Sequence, residues 1–439
     1  MFTPEFFERT SRSHSFEDIV FVPTGRPSEE TLEPFGEDIL HAAIPRVPRA
    51  GFGYAILKDG PTEEAANVFN LWRLKGISQL AGLQKPSGQL FHHTRFTHSL
   101  VASAIAVLMA LNNKLKKPAV RALKLAGDIH DALTIAYGDR LKGSDKLLDE
   151  DLQFPHLLKG AAQESFLGRY GVDQQLLIDI VQGRGLFAEI FAIADRLSYL
   201  ANDVDAFLDQ DSFFGSIYQE GYPDIQELVA RRKYMFGLWS AVRVDDGKVF
   251  VEDADWLGDV LEIRALMFAS VYFNPKSRPL GRLTSIFLAK HLLKTGVVSR
   301  KDLFQLTDAD LDALIAGHFG SEAPRFIDPS GERPVIETFR TPEDGERRRR
   351  ELLRMGAPIV LIDEQPPTNP ATGTLVRSGQ NILSFQKARP TRAAKIEAIL
   401  AAAPTVRLFH FPGRRYEDLP LLLREVADIS RETYLAETT

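Results

Sequence analysis

From residue 62 to about residue 330 the apolar positions recur at helical spacing. AANVFNLWRLKGISQLAGL, RFTHSLVASAIAVLMALNNKL, AVRALKLAGDIHDALTIA and LFAEIFAIADRLSYLANDVDAFL each carry an apolar stripe, which predicts a helix that buries one face or more. Asn112 and Asn113, followed by Lys116, Lys117 and Pro118, predict the end of one helix and the start of the next. One stretch breaks the rhythm: SAVRVDDGKVFVED alternates around Asp246 and Gly247 and predicts a β-hairpin. Beyond 330, APIVLID and TVRLFHFP predict short buried strands, with PPTNPATGTLVRSGQN a turn-rich loop between them. KARPTRAAKIEAILAAA and YEDLPLLLREVADIS predict helices in the same part. The pattern divides the chain into an irregular lead-in (1–60), a helical domain (61–330) and a smaller α+β C-terminal module (331–439), a mainly α protein with one small hairpin in its body.

Composition narrows the chemistry. Over 439 residues, 44% hydrophobic and 26% charged content predict a globular protein large enough for a sizeable core. A net charge of −6 argues against a general nucleic-acid coat, so nucleic acid is not an indicated partner. The N-terminus, MFTPEFFERTSRSHSFEDIV, lacks the basic-then-apolar order of a signal peptide. No apolar stretch reaches the roughly 18 residues of a membrane span, and the expectation is a cytoplasmic protein without membrane contact. The run Arg347 to Arg350 reads as a solvated helix face. Cysteine is absent, which excludes disulfides, iron–sulfur clusters and thiolate zinc sites. Any metal must then sit on His, Asp or Glu.

Three segments offer such ligands. His130 and Asp131 are adjacent in GDIHDAL; neighbouring positions on a helix diverge by about 100°, so both reach one ion only if it lies over that edge. His98, in RFTHSL, shares a helical face with Val101, Ala102 and Ile105 and so points inward, as a ligand or as a satisfied core histidine. Asp195 follows the apolar run FAEIFAIA, where its charge is costly to bury unless Arg196 or a cation compensates it. Two imidazoles and two carboxylates would suit a divalent ion of the hard or borderline kind (Mn, Mg, Fe, Ni or Zn) with positions left for water and phosphate.

Together these segments resemble the H…HD…D signature of the HD-domain phosphohydrolases. FNLWRLKGISQLAG followed by HTRFTHSLVASA is similar to the opening of the dNTP triphosphohydrolases of the SAM-and-HD-domain type. ADRLSYLANDVD, RALMFASVYFNPKSR and FQLTDADLDALI resemble later segments of that family, in the same order, from about residue 69 to 315. The resemblance implies a helical HD-domain body, a dNTP-like nucleotide substrate and a homo-oligomer. It implies His98, His130, Asp131 and Asp195 as metal ligands. Gln79 would read the deoxyribose 3′-hydroxyl with Leu80 beside the sugar, and Asp203 would take a second hydrogen bond from that hydroxyl. Tyr199 and Tyr272 would line the sugar pocket, Tyr272 crowding the place of a 2′-hydroxyl, while Arg95, Arg196 and Arg264 would grip phosphates.

The chain departs from the family after its HD pair. Thr134 and Asp139 stand where the family usually carries two histidines, and Phe268 where some relatives carry another. His156 falls near the family's separate active-site histidine and is the expected general acid, with Asp139 the competing candidate; His92 and His93 are expected at the pocket edge or in solvent. The expected reaction is hydrolysis of a dNTP to deoxynucleoside and triphosphate by metal-activated water. Two rivals are another nucleotidase or phosphodiesterase, and a nucleotide-binding regulator with little turnover.

Overall fold

The computed structural model describes residues 19–23, 53–57, 61–79, 94–142, 145–208, 238–272, 280–320, 334–364, 368–413, 415–419 and 421–438. Leu80, His92 and His93 lie outside them. The elements in chain order are β1 (Ile19–Pro23), β2 (Gly53–Leu57), α1 (Pro61–Val68), α2 (Arg95–Asn112), α3 (Lys117–Ile129) and α4 (Asp139–Lys142). Then come α5 (Glu150–Leu157), α6 (Ala161–Tyr170), α7 (Gln174–Val181), α8 (Leu186–Leu208), β3 (Val242–Asp245), β4 (Lys248–Val251) and α9 (Ala254–Met267). They are followed by α10 (Leu280–Lys294), α11 (Asp308–Phe319), β5 (Val335–Phe339), α12 (Pro342–Arg354), β6 (Val360–Glu364), β7 (Leu375–Ser378) and β8 (Asn381–Ser384). The last are α13 (Phe385–Ala388), α14 (Pro390–Ala402), β9 (Val406–His410) and α15 (Leu421–Thr438). The protein is thus mainly helical with small sheets, as the apolar periodicity predicts.

Helix α2 is the axis of the body, packed against α3 and α8. Thr94 caps it, its hydroxyl accepting from the Thr97 N–H, and nearly every residue from Arg95 to Leu111 is buried. With 18 residues and an apolar composition α2 matches a membrane span by length alone, against the sequence expectation, but the body encloses it on all sides. At one point α2 and α3 touch backbone to backbone. A Cβ on Gly127 would lie 2.3 Å from the Ser103 Cα, so only glycine permits this approach. The Ser103 hydroxyl donates across the same contact to the Lys124 carbonyl at 3.0 Å. Close approach here brings the start of α2 and the end of α3, and hence His98 and His130, to one place.

The expected hairpin forms as β3 and β4, with Asp246 and Gly247 both at positive φ, the turn chemistry that Asp-Gly supplies. It does not stand alone. Val251 of β4 pairs in parallel with Val376 of β7, and β7 pairs with β8, giving a four-stranded sheet β3-β4-β7-β8. Strands β7 and β8 lie in and just after the stretch read from sequence as a turn-rich loop; Gly379 at positive φ turns the chain between them. A three-stranded antiparallel sheet, β5-β9-β6, holds the two strands predicted from APIVLID and TVRLFHFP.

Residues 331–439 consequently divide between two cores. Ala371, Val376, Phe385, Ala393 and Ile396 belong to the main hydrophobic cluster with α2, α3 and α8. Ile359, Leu361, Phe409 and Phe411 join a second cluster with Ile135, Leu141 and Leu288. The expected boundary at 330 therefore crosses shared packing. Arg347 to Arg350 lie on α12, paired with Asp344, Glu337, Glu351 and Glu346; Arg347 and Arg350 are on the solvated face expected of the run, while Arg348 and Arg349 are partly covered.

Candidate metal centre

His98 is one turn into α2, and buried. Helix α3 ends at Ile129, so His130 and Asp131 stand at its C-terminus and the chain turns away immediately after them. That ending resolves the angular problem of adjacent ligands: a continuous helix would splay the two side chains, a terminated one lets both face the same point. Asp195 comes from the middle of α8.

The four side chains converge. His98 Nε2 lies 3.2 Å from His130 Nε2 and 3.0 Å from Asp195 Oδ1. His130 Nε2 is 3.6 Å from the same Asp195 oxygen, and Asp131 Oδ2 is 3.7 Å from both imidazole nitrogens. One ligand atom each from His98, His130 and Asp195 falls within a 4.8 Å span. The opposite ring nitrogens explain why such atoms fit a cation. His130 Nδ1 donates to the Gly127 carbonyl at 2.9 Å. His98 Nδ1 donates at 2.8 Å to the Ser198 hydroxyl, whose own hydrogen goes to the Asp195 carbonyl. With each Nδ1 engaged, both Nε2 atoms face one point flanked by two carboxylates, a donor set that calls for a positive charge there, supplied by a proton or by a cation.

The electrostatics agree. Burial alone would raise Asp131, but Arg95, His130 and His98 hold its carboxyl well below the usual range. Asp195, also opposed by burial, is held low by hydrogen bonds from His130 and His98. Burial would lower His130, yet the Asp131 and Asp195 carboxylates lift it to about 9. The donors are two nitrogens and two oxygens without sulfur, which fits a divalent ion of the hard or borderline class.

Arg95 is buried and engaged by carboxylates. Its Nη1 donates to both Asp131 oxygens (3.2 and 3.3 Å) and its Nη2 to Asp139 Oδ2 at 3.1 Å. A buried guanidinium needs carboxylates around it, and these two tie it to orienting Asp131, whose Oδ1 also accepts from the Thr134 hydroxyl at 2.9 Å. Thr134 and Asp139 thus both bear on Asp131, Thr134 directly and Asp139 through Arg95. His156 is exposed in the last turn of α5, and no described contact joins it to the four ligands.

Beside the centre, Tyr199 on α8 stands with its ring centroid 6.5 Å from that of His98. Its hydroxyl accepts from Arg264 Nε at 2.7 Å, and the Arg264 guanidinium lies over the Phe268 ring. Helix α9 widens to a π-helical turn over Phe268–Tyr272, which swings Tyr272 onto Asp203 of α8 in a short hydrogen bond. Arg196, next to Asp195, is close enough to Arg264 for the two charges to oppose each other; burial, then Arg264, lowers its pKa. Gln79 lies at the bridge that joins Ser78 to Thr94, just before Arg95, and its Oε1 is buried without a hydrogen-bond partner among the described residues. The sequence reading missed Glu150. This carboxyl is buried at the start of α5 with Lys142 Nζ at 2.9 Å, and burial followed by the negative charges of Asp139 and Asp131 raises its pKa to about 7 despite the lysine. Its place in LLDEDLQF, between two aspartates, gives no sequence signal.

No protein-family model and no curated protein matches the chain. Solved structures do match its fold. A hypothetical protein from Aquifex aeolicus is 19% identical with a TM-score of 0.57, over 85% of this chain and 97% of that one. A phosphohydrolase from Bacteroides thetaiotaomicron is 15% identical with a TM-score of 0.54, over 79% of this chain and 94% of that one. The chain shares their fold across most of its length.

Proposed function

We propose that the chain is a divalent-metal-dependent phosphohydrolase of nucleotides, splitting a dNTP into deoxynucleoside and triphosphate. The observation that carries this reading is a juxtaposition. His98, His130 and Asp195, grouped closely enough to share one cation and with Asp131 at their side, stand beside two guanidiniums, Arg196 and Arg264, that no carboxylate hydrogen-bonds among the described residues. A cation to activate water and a pair of arginines to hold anionic oxygens are what phosphate-ester hydrolysis requires. The fold shared with a phosphohydrolase supports the same class.

His98, His130, Asp131 and Asp195 would hold the ion, which when bound supplies Lewis acidity and an activated water. The chain's own residues do the rest. Ser198, Gly127 and Arg95 keep three of the ligands aimed. Arg196 and Arg264 bind the phosphates and stabilise charge gathering on their oxygens. The buried, unpartnered Gln79 acceptor would bind the sugar, and the Tyr272–Asp203 pair, already satisfied, would reject a 2′-hydroxyl that it cannot accommodate. The leaving oxygen needs a proton, and His156 and Asp139 are the candidates; Asp139 is the one linked to the centre, through Arg95.

Chromatography of products from a panel of dNTPs, NTPs and monophosphates, with Mn²⁺ or Mg²⁺, tests this. Deoxynucleoside and tripolyphosphate are expected. Orthophosphate or monophosphate products would move the reading to another phosphoesterase, and no turnover of any substrate would reject hydrolysis. One observation favours the second reading, nucleotide binding with little turnover: the buried Thr134 hydroxyl is bound to Asp131 and the exposed Asp139 carboxylate to Arg95, so neither supplies the imidazoles that this loop carries in the family it resembles.

A further inference from the structure

Arg264 is held on two sides by neutral acceptors. Its Nε donates to the Tyr199 hydroxyl at 2.7 Å, and its Nη1 to the main-chain carbonyl of Asn369 at 2.6 Å. Neither acceptor carries a formal charge, so the guanidinium is fixed in direction while its charge stays available to an anion. The second contact comes from a segment more than a hundred residues away in sequence, between β6 and β7.

That segment is built to hold one shape. Ala371 is at φ 58°, a left-handed conformation unusual for a residue with a Cβ. The Asn369 side-chain oxygen accepts the Ala371 N–H at 2.8 Å, and the Thr374 N–H and hydroxyl both donate to the Ala371 carbonyl (3.1 and 2.9 Å). Thr372 is buried; its hydroxyl donates to Glu397 of α14 at 3.0 Å, and its carbonyl takes the Gln386 N–H of α13 at 2.9 Å. A strained residue persists where its surroundings over-determine it. Here the outcome of that over-determination is one carbonyl delivered to Arg264.

We propose that Asn369 is a positioning residue, and that segment 368–374 aims Arg264 at the anion bound beside the metal centre. The pocket is then completed by the C-terminal part of the chain. With Nε and one Nη1 hydrogen engaged, Arg264 keeps its Nη2 hydrogens and one on Nη1 for the ligand, and meets an oxygen end-on. This rests on the phosphate-ester reading above.

The test uses the full chain loaded with Mn²⁺ and titrated with inorganic tripolyphosphate by calorimetry. Asn369→Ala removes the side-chain bond that supports the left-handed Ala371. It is expected to weaken tripolyphosphate binding about tenfold, the scale of one charge-assisted hydrogen bond, with Mn²⁺ affinity unchanged. Adding Ala371→Gly, which favours the left-handed backbone without help, is expected to restore most of the loss. Unchanged or tighter tripolyphosphate binding in Asn369→Ala would overturn the proposal, the latter by making the segment a plug. If the wild type binds no tripolyphosphate, the phosphate-ester reading falls. The ¹⁵N–¹H signals of the Arg264 guanidinium then decide the positioning role: sharpened by restraint in the wild type and lost in Asn369→Ala they uphold it, and unaltered by the substitution they reject it.

Discussion

His98 and His130 each commit Nδ1 to a protein acceptor, and the orientation of both rings follows from those two bonds. Ser198→Ala should therefore lower Mn²⁺ affinity by about 10- to 100-fold, as loss of an outer-shell partner does, with the fold intact by circular dichroism; unchanged affinity by calorimetry would show that the ring needs no such bond. Tyr272→Ala should relax exclusion of ribonucleotides more than it weakens metal binding, read as the ratio of kcat/KM for dATP and ATP. Glu150 gives a pH signature. Its pKa is about 7 in the fold against 4.5 ordinarily, so between those values the folded state binds the extra proton and stability falls as pH rises. Asp139 and Asp131 are the like charges responsible after burial, with Lys142 opposing them. Glu150→Gln should thus match the wild type in thermal stability near pH 4.5 and exceed it at pH 8 by up to about 3 kcal/mol; a difference that does not change with pH would contradict this. The grouping of His98, His130 and Asp195 was legible in the sequence because each sits in recognisable helical surroundings. Arg95 was not: the sequence places it before an inward helix, but only the fold puts Asp131 and Asp139 on either side of it. Glu150 was hidden for the same reason, since burial is a property of the packed chain.

Among the elements, α2 and α3 depend on one glycine. Gly127→Ala would drive a Cβ into the Ser103 backbone, which cannot yield as a flexible side chain would. A loss of at least about 1–3 kcal/mol is expected, together with weaker metal binding because His98 and His130 move apart; urea unfolding and a Mn²⁺ titration on the same variant check both. Gly127 carries no sequence signal for this role, standing as it does inside a helix-forming stretch. The helical segments were legible, as were β3 and β4 from their alternation around Asp-Gly, but not where helices stop: α1 ends at Val68 and α3 at Ile129, each well inside the stretch whose apolar spacing predicts a helix. Strands β7 and β8 were not legible. Each is four residues long and β7 is preceded by Pro and Gly, and they become strands by pairing with β4 across a long sequence separation. Local pattern cannot report a partner that distant.

At the scale of the whole molecule, the C-terminal part is interwoven with the helical body. Val376, Phe385 and Ile396 lie in one core with α2, and Arg140 of α4 reaches Asp363 of β6 at 3.1 Å. A chain ending at residue 330 would expose that apolar surface and lose the β4–β7 pairing. It should show a broadened or absent thermal transition and bind a hydrophobic dye, whereas a sharp transition at the full-length temperature would bear out the boundary read from the sequence. Metal-dependent chemistry here requires a cation at the point where α2, α3 and α8 meet. Anomalous diffraction from a crystal of the full chain grown with Mn²⁺ tests this most directly. One strong peak bounded by His98 Nε2, His130 Nε2, Asp131 and Asp195 is the predicted result; no peak at that point, with the two imidazoles still facing each other, would contradict it.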